Sequence, residues 1–432
     1  MIMNACRAIC AIAISLSAFV FAQTIMPPRL AHAQGVDRLT TPHRRQPPRV
    51  RTPREPAAAE VPPLQPKQLP PRAPYTAAED AAASIPGIPD ARFSADSPTD
   101  FNNALPSKPG PWLVLSSGGE DGAFGAGLLN GLTASGKRPD YAVVTGLSTG
   151  ALIAPFAFAG PHYDNALRDA FTKITAADIF EVGGTPESFV DTWPLKDLIA
   201  KEVTPALLAD IAVQYRAGRR LFVVTTNLDT ERSVVWNMGA IAAHGGEDGL
   251  DLFRKVLLAS SSIPGAFPPV LIDVEAGGKR FAEMHVDGGV GGQFFVAPQA
   301  LLAATSDYRL PATELYVVVN SGLQPEFEVV PRSTEAILAQ SVGMAVQVDT
   351  RLMLDRAYMA AKRSGVSFNV ASIPPSFNVP SRGTFDPDYM RALFKVGYDL
   401  GRGATPFAAV PPPYPGQPAS PTQDPEKTGA TR

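Results

Sequence analysis

Cysteine is almost absent from this chain. Only two of its 432 residues are cysteines, Cys6 and Cys10, and both lie at the N-terminal end. The remainder of the chain can therefore form neither a disulfide nor a cysteine-based metal site. The sequence also lacks an H-E-x-x-H pattern and any cluster of Cys and His residues, which are common signatures of zinc sites. We therefore expect no metal and no other cofactor.

A strong excess of charge of either sign is also lacking. The chain has 38 Lys and Arg residues against 41 Asp and Glu residues, a formal net charge of −3. Nucleic-acid-binding domains usually show a basic excess, so no nucleic-acid partner is expected. No nucleotide partner is expected either. The stretch 131–138 is close to a P-loop, but Arg138 stands where a hydroxyl is required and Pro139 prevents a helix from continuing.

The N-terminus carries an apolar run, Ala8–Phe21, behind Arg7, and an A-H-A sequence ends at Ala33. This pattern is typical of a secretory signal peptide, so we predict that residues 1–33 are removed. The alternative is an uncleaved anchor, because the apolar stretch extended to Met26 nearly spans a bilayer. Polar residues dilute that stretch and favour cleavage. The chain is then exported across the inner membrane and is periplasmic, secreted or peripherally membrane-associated.

Proline marks both flanks of the chain. The Pro- and Arg-rich stretch from Gln34 to Tyr75 cannot bury enough apolar surface to offset its conformational entropy. We predict a disordered linker over residues 34–109 and a second disordered segment, the Pro-rich tail 405–432. The linker is either a plain spacer, which we favour, or a basic tether to anionic lipid or cell-wall polymer. Between the flanks, residues 110–404 form one domain of a size usual for a single α/β sheet.

Strands and helices alternate within this domain. A strand at Trp112–Ser116 precedes a helix at Ala123–Ala134, and a second strand and helix follow at residues 141–160. Further strands are predicted at 221–226, 234–237, 270–274, 280–285, 315–320 and 366–370, and helices within 163–200, at 250–259, at 334–362 and from 386 onward. Such alternation is typical of a mainly parallel sheet with helices on both faces. The predicted fold is therefore α/β, in three α/β/α layers.

One serine stands at a sharp turn between strand and helix. The sequence around it is V-V-T-G-L-S-T-G-A-L-I-A, with Ser148 at the turn. Gly146 and Gly150 leave no side chains where the strand and the helix pass close together. This geometry exposes a serine hydroxyl beside the first amides of a helix, as in a nucleophile elbow. An ordinary tight turn is the alternative, since G-x-S-x-G is a common pattern.

Two more motifs carry groups that ester chemistry needs. The loop S-S-G-G-E-D-G follows the first strand, and its Gly118 and Gly119 can point backbone N–H groups at an oxyanion. Late in the domain, D-G-G lets the chain turn tightly at Asp287 and bring a carboxylate to Ser148. A carboxylate is a poor base at neutral pH unless burial raises its pKa. On its own, Asp287 could equally be a turn residue.

These three motifs, in this order, resemble those of the patatin-like phospholipases. T-T-N-L-D at 225–229 and S-S-S-I-P-G-A-F-P-P at 260–269 look similar to that family as well. The resemblance extends over about residues 112–401. It implies a patatin-like catalytic domain at 110–404 that hydrolyses lipid esters.

The resemblance also implies roles for individual residues. Ser148 is the expected nucleophile and Asp287 the second member of a Ser-Asp dyad. The oxyanion hole is expected at Gly118 and Gly119, with Glu120 beside them. The other motif positions are Ser117, Gly122, Gly146, Gly150, Gly288 and Gly289.

The sequence departs from the family pattern at two positions. Ser117 stands where the first family glycine falls, and it would be strained if the backbone there required a positive φ. Asp121 stands where Arg or Lys is usual, which would weaken attraction for an anionic lipid head group. Both departures bear on substrate choice.

Histidine provides the rival catalytic hypothesis. His285 lies two residues before Asp287 on a predicted strand and would share its face, which suggests a Ser-His-Asp carboxylesterase. An α/β-hydrolase, however, has several strands before its elbow and a histidine late in the chain. Here one strand precedes the elbow strand, and no histidine follows His285. The dyad is therefore favoured.

The sequence thus predicts an exported serine acyl hydrolase of the phospholipase A or lipid esterase type. Its expected partner is a lipid or membrane-surface substrate. A non-catalytic lipid-binding or scaffold protein is the alternative from a different functional class, suggested by the altered glycine loop and the Pro-rich flanks.

Overall fold

The computed structural model describes residues 69–325 and 327–414. The predicted signal peptide at 1–33, the linker up to residue 68 and the tail from residue 415 lie outside the described residues. Within the described part of the chain, no helix is both long enough and apolar enough to cross a membrane.

The described residues contain eleven strands and twelve α-helices. The strands are β1 Arg92–Ser94, β2 Gly110–Leu115, β3 Val143–Leu147, β4 Glu181–Thr185, β5 Ser188–Asp191, β6 Arg220–Asn227, β7 Arg232–Asn237, β8 Val270–Ala276, β9 Lys279–Asp287, β10 Ala312–Gly322 and β11 Ser367–Ile373. The helices are α1 Ala77–Ala81, α2 Pro98–Ala104, α3 Gly122–Ala134, α4 Thr149–Ala159, α5 Asp164–Thr172, α6 Trp193–Glu202, α7 Pro205–Arg216, α8 Met238–His244, α9 Gly246–Ser260, α10 Gln299–Leu302, α11 Thr334–Ser364 and α12 Pro387–Arg402.

Nine of the strands form one sheet. Its main path is β1-β7-β6-β3-β2-β10-β11, and β9 joins β6 and β8. The central strands β6, β3, β2, β10 and β11 pair in parallel, whereas β1, β7, β8 and β9 pair in antiparallel fashion. The carboxyl ends of the parallel strands therefore meet at one edge of the sheet, which is where ligand sites of open α/β sheets lie.

Two hydrophobic cores lie on opposite faces of this sheet. Alternating side chains of β2 divide between them: Leu113 joins the core under α3, α4, α9 and α12, and Trp112 joins the core under α2 and α11. Near-continuous apolar strands such as β2 and β3 are expected when both faces are covered. The predicted three-layer α/β/α fold with a mainly parallel sheet is confirmed.

The linker prediction is wrong for residues 76–105. This segment holds α1, β1 and α2, and β1 pairs with β7 at the sheet edge. Ile85 and Ile88 are buried in one core and Phe101 in the other. Prolines and arginines dominate only the first part of the predicted linker, and the apolar residues of the second part bury enough surface to order it.

The tail prediction is wrong for residues 405–414. Phe407 packs against Tyr316, and Ala408 forms a bridge with Val370 of β11. Tyr414 donates a hydrogen bond of 2.7 Å to Asp355 of α11. Isolated aromatic residues thus attach a Pro-rich segment to the domain.

The predicted strands and helices agree with the structure to within a few residues. Helices α7 and α8 were not predicted, and a further difference lies in 163–200, which we predicted to be helical. It contains the hairpin β4–β5 between α5 and α6. The hairpin hydrogen bonds run from Phe189 and Val190 to the carbonyls of Gly265 and Ala266, positions that local sequence periodicity does not reveal.

Candidate active site

Strand β6 brings the two principal site residues together. It pairs with β3 up to Val224, opposite Leu147, and from Thr225 onward it pairs with β9. The register places Asp287 opposite Thr225. Ser148, which directly follows Leu147, and Asp287, which ends β9, therefore lie next to each other at the carboxyl edge of the sheet.

The backbone of Ser148 has the strained geometry of an elbow. Its φ is +52°, a value rare for a residue with a side chain. The turn brings β3 and α4 so close that a Cβ on Gly146 would lie 2.2 Å from the carbonyl oxygen of Gly150. A Cβ on Gly150 would lie 2.5 Å from the carbonyl oxygen of Leu115. Both glycines are thus required sterically, as predicted.

The Ser148 hydroxyl donates a hydrogen bond of 2.7 Å to Oδ2 of Asp287. Both residues are buried. The Ser148 amide donates in turn to Oγ of Ser260, at 3.0 Å, and Ser260 donates to the carbonyl of Val224. Ser260 thereby attaches the turn to β6. Sequence reasoning gave no role to Ser260, although it is part of the S-S-S-I-P-G segment.

The Asp287 carboxyl group is held in a defined orientation. Its second oxygen, Oδ1, accepts a hydrogen bond of 2.7 Å from the amide of Gly289, and the 3-10 turn that begins at Gly288 makes this contact. Burial raises the pKa of Asp287 to about 7, against the opposing effect of hydrogen bonds from Ser148 and Gly289. A carboxylate of this pKa can accept a proton near neutral pH.

The glycine loop lies between β2 and α3. Gly118 has φ +157° and Gly119 has φ +57°, and a Cβ on Gly118 would lie 2.3 Å from the carbonyl oxygen of Asn320. Among the turn, loop and cap hydrogen bonds of residues 69–325 and 327–414, none is donated by the backbone amide of Gly118 or Gly119 to another backbone group. Gly119 and Ser148 line the same pocket. These two N–H groups can therefore bind an oxyanion at the pocket.

Two residues far away in sequence support this loop. Asn320, at the end of β10, donates from its amide to the carbonyl of Ser116 and accepts from the Gly125 amide at 3.1 Å. Gln293 accepts hydrogen bonds from both the amide and the hydroxyl of Ser117. Sequence analysis missed both residues, because no local pattern joins positions separated by so many residues.

The two departures from the family pattern have structural explanations. Ser117 does not have a positive φ, so serine causes no strain there, and its hydroxyl instead binds Gln293. Asp121 accepts a hydrogen bond of 2.5 Å from the Tyr389 hydroxyl and so connects the loop to α12. Its expected influence on anionic head groups stays a prediction.

Glu120 has a further role besides its place next to the oxyanion loop. Its carboxylate accepts a hydrogen bond from the amide of Phe385, whose φ is +54°. The Phe385 side chain lines the pocket at Ser148. The Glu120 side chain therefore positions a wall of the pocket, while the backbone of the same residue follows the two glycines. Gly122 begins α3, where a Cβ would meet Oγ1 of Thr149 at 2.1 Å.

The pocket next to Ser148 is narrow, with a cavity volume of about 90 Å³. Its walls are largely apolar and come from α4, α5, α6, α9 and the segment before α12. They include Leu152, Phe156, Phe171, Ile174, Ile179, Leu195, Leu198, Ile199, Val203, Leu257, Ile263, Phe267 and Phe385, with Glu202 as the charged side chain. A pocket of this shape and polarity suits a hydrocarbon chain.

His285 lies away from the Ser148 hydroxyl. It is fully buried, and its ring nitrogens contact Thr225 at 2.9 Å and Glu283 at 3.0 Å. Thr225 also accepts from Trp236, so its own hydroxyl proton is available for the histidine Nδ1. Burial lowers the pKa of His285, against the opposing attraction of Glu283. His285 is thus a neutral residue inside a buried network.

That network ends in an ion pair. Glu283 is buried and binds Arg92 of β1. Burial opposes ionisation of Glu283, but hydrogen bonds from Arg92 and His285 outweigh it and hold the pKa at about 2. The Arg92–Glu283–His285 network therefore fixes β1 and β9 to each other. No group of three or more His, Cys, Asp and Glu side chains in the described residues is arranged to hold a metal ion.

Comparison with known families gives a match to the patatin-like phospholipases over residues 113–298. No curated protein sequence matches the chain. Among solved structures, VipD from Legionella pneumophila is similar with 12% identity and a TM-score of 0.32, over 69% of this chain and 70% of that one. The type III effector protein ExoU is similar with 16% identity and a TM-score of 0.28, over 69% of this chain and 54% of that one. At these scores the structural similarities add nothing to the family match.

The matched region contains the loop with Gly118 and Gly119, the elbow at Ser148 and the D-G-G turn at Asp287. Residues 113–298 therefore match the patatin-like phospholipase domain, and this match supports a hydrolase of lipid esters.

Proposed function

We propose that the protein is a serine acyl hydrolase of the phospholipase A or lipid esterase type, working through a Ser148–Asp287 dyad. The hydrogen bond of 2.7 Å between Oγ of Ser148 and Oδ2 of Asp287, at an apolar pocket, carries this proposal. The raised pKa of Asp287 supports it, because a base that titrates near neutral pH can both take up and return a proton.

In the first step Oγ of Ser148 attacks the ester carbonyl carbon while its proton moves to Asp287. The carbonyl oxygen becomes an oxyanion, which the amides of Gly118 and Gly119 stabilise. When the tetrahedral intermediate collapses, the carbon–oxygen bond to the alcohol breaks, and Asp287 returns the proton to the departing oxygen. The acyl chain remains on Ser148 and lies in the apolar pocket.

In the second step water replaces the alcohol. Asp287 accepts a proton from the water molecule as its oxygen attacks the acyl carbon, and the same amides bind the new oxyanion. Collapse releases the carboxylic acid and returns the proton to Ser148. Each proton taken by Asp287 is given back within the cycle, so no cofactor is needed.

Hydrolysis of phosphatidylcholine vesicles and of a soluble p-nitrophenyl ester tests this proposal, with Ser148→Ala as the control. We expect the wild type to release fatty acid and the variant to release almost none. A wild type that binds vesicles but cleaves neither substrate would instead support the lipid-binding or scaffold protein.

His285 variants separate the dyad from the rival triad. We expect His285→Gln to keep a substantial part of the hydrolytic rate, because both ring nitrogens bind groups other than Ser148. The substitution should lower stability instead, since it removes a partner of the buried Glu283. Steady-state kinetics on folded protein, verified by circular dichroism, gives the answer. A folded variant as inactive as Ser148→Ala would restore the Ser-His-Asp carboxylesterase.

Export remains a proposal that rests on residues 1–33 alone. Mass determination of protein recovered from the periplasm or medium tests it, and the expected N-terminus is Gln34.

A further inference from the structure

The N-terminal half of α11 is only partly covered. Of the described side chains from Thr334 to Asp349, none is buried, and Thr350 is the first residue of the helix that is. From there to Ser364 the helix packs on the sheet through Leu354 and Ala357. We refer to residues 334–349 as the free half of α11. The side chain of Gln347, within the free half, donates a hydrogen bond of 3.0 Å to the carbonyl of Gln324.

The exposed side of the free half of α11 carries an apolar stripe. The sequence from 336 to 348 is A-I-L-A-Q-S-V-G-M-A-V-Q-V, which contains no charged residue. Ile337, Met344 and Val348 form the stripe and are 52%, 59% and 55% exposed, whereas Leu338 and Val342 are half-buried. An exposed apolar stripe of this kind marks an interaction surface.

The loop that precedes the helix also exposes apolar side chains. Phe327 is 96% exposed and Val329 is 79% exposed. We refer to these two residues and the stripe on α11 together as the apolar projection, although Arg332 and Glu335 lie between them in the chain.

This projection lies at the edge of the sheet that carries the active site. Strands β10 and β11 are parallel, so α11 must run back from the carboxyl edge to the opposite edge, with its N-terminus at the carboxyl edge. Met353, in the first buried turn of α11, contacts a residue that supports the glycine loop. The backbone amide of Gln293 lies 3.2 Å from Sδ of Met353, and the side chain of Gln293 accepts a hydrogen bond from the Ser117 hydroxyl.

We propose that the free half of α11, with Phe327 and Val329, inserts into the surface of a lipid bilayer and brings the pocket to its substrate. This inference rests on the proposed function, because a lipid ester has to be reached within a membrane. An exposed apolar stripe on a stretch without charge, 336–348, is matched by the hydrocarbon of a bilayer. The free half, at 1.5 Å per residue, is about 20 Å long.

Two other occupants fit less well. The tail beyond Tyr414 follows a residue bound to α11, but residues 415–432 contain no Val, Leu, Ile, Met or Phe. A second copy paired along the stripe would cover Ile337, Met344 and Val348, but it would not connect this edge of the sheet with a lipid ester.

The lack of charge in residues 336–348 predicts how vesicle binding depends on the lipid head group. Binding should occur on zwitterionic phosphatidylcholine vesicles and should change little with salt or with anionic lipid, because no cation in 336–348 contributes attraction. Partition scales with buried apolar area, so charges placed on this helix should weaken it.

Co-flotation of the full chain with phosphatidylcholine vesicles tests the proposal. We expect Ile337→Glu combined with Met344→Glu to reduce bound protein at least about tenfold. Val213→Glu, on α7 at a similar exposure of 56%, is the matched control and should bind as the wild type does. Vesicle hydrolysis by the double variant should fall in parallel, while its hydrolysis of soluble p-nitrophenyl butyrate should be unchanged.

These variants distinguish a failure of membrane insertion from a failure of the proposed catalytic function. Ser148→Ala should bind vesicles normally, so a failure of catalysis leaves the binding result readable. Unaltered flotation of the double variant would overturn the insertion. A wild type that is dimeric without lipid, and becomes monomeric in the double variant while its vesicle binding persists, would assign the helix to a second copy.

A spectroscopic arm avoids the risk that the double variant misfolds. A single Met344→Cys in a full chain with Cys6→Ser and Cys10→Ser can carry an environment-sensitive dye. We expect its emission to shift to shorter wavelength on vesicle addition, and that of a dye on Val213→Cys to stay constant. No shift at position 344 would contradict the insertion.

Discussion

Ser148→Ala and Asp287→Asn should each lower kcat/KM for ester hydrolysis by about 10³-fold or more. Alanine removes the nucleophile, and asparagine keeps the size of Asp287 but cannot accept the proton of Ser148. The hydrogen bond of 2.7 Å between the two side chains makes them one unit. The double variant should therefore be little worse than either single variant.

The matched control for this pair is Asp121→Asn, a carboxylate in the same region that accepts a hydrogen bond from the Tyr389 hydroxyl. It should keep most of the rate on a neutral soluble ester. Kinetics on samples with the wild-type circular dichroism spectrum provide the comparison. Losses in Asp287→Asn no larger than in Asp121→Asn would remove Asp287 from the mechanism.

The pKa of Asp287 predicts the second large effect, on pH dependence. Hydrolysis needs the ionised carboxylate as base, and burial raises its pKa to about 7. Below that value kcat/KM should fall about tenfold per pH unit, so that about 1% of the rate remains at pH 5. A pH profile on a soluble neutral ester measures this. Activity that stays constant from pH 8 to pH 5 would contradict the role of Asp287 as base.

The same pKa shift also predicts an effect on stability with a definite sign. The folded-state pKa lies above the ordinary value of 3.8, so the folded protein retains a proton that the unfolded chain loses between about pH 4 and pH 7. The free energy of unfolding should therefore fall as the pH rises through this window. Asp287→Asn removes the buried charge and should be more stable than the wild type at pH 8 by about 2–4 kcal/mol. Denaturant titrations at pH 8 and pH 4 should show this difference at pH 8 and almost none at pH 4.

Much of the fold and the site could be predicted because short-range patterns carry it. The turn at Ser148 needs Gly146 and Gly150 within the same few residues, and the structure requires both sterically. Alternation of apolar strands with helices was sufficient to predict the sheet and its two covering layers. The position of Asp287 beside Ser148 followed only from the resemblance, since β6 joins them through pairings that no local pattern reveals.

The remaining features depend on contacts between distant segments. Ser260 supports the Ser148 amide, Asn320 and Gln293 support the glycine loop, and each acts across more than a hundred residues. The order of residues 76–105 likewise comes from burial of Ile85 and Phe101 against elements far along the chain. Composition averaged over a whole segment concealed this, because the prolines and arginines are concentrated at its start.

The dyad is tested most directly by the rate at which a fluorophosphonate ester labels the protein. The reagent forms a covalent bond only with an activated serine, and peptide mass mapping identifies which one. We predict rapid labelling at Ser148 in the wild type and in His285→Gln, and labelling slowed by about 10²-fold or more in Asp287→Asn. Labelling at a different serine, or labelling of Ser148 that is slow in His285→Gln and unchanged in Asp287→Asn, would contradict the Ser148–Asp287 dyad.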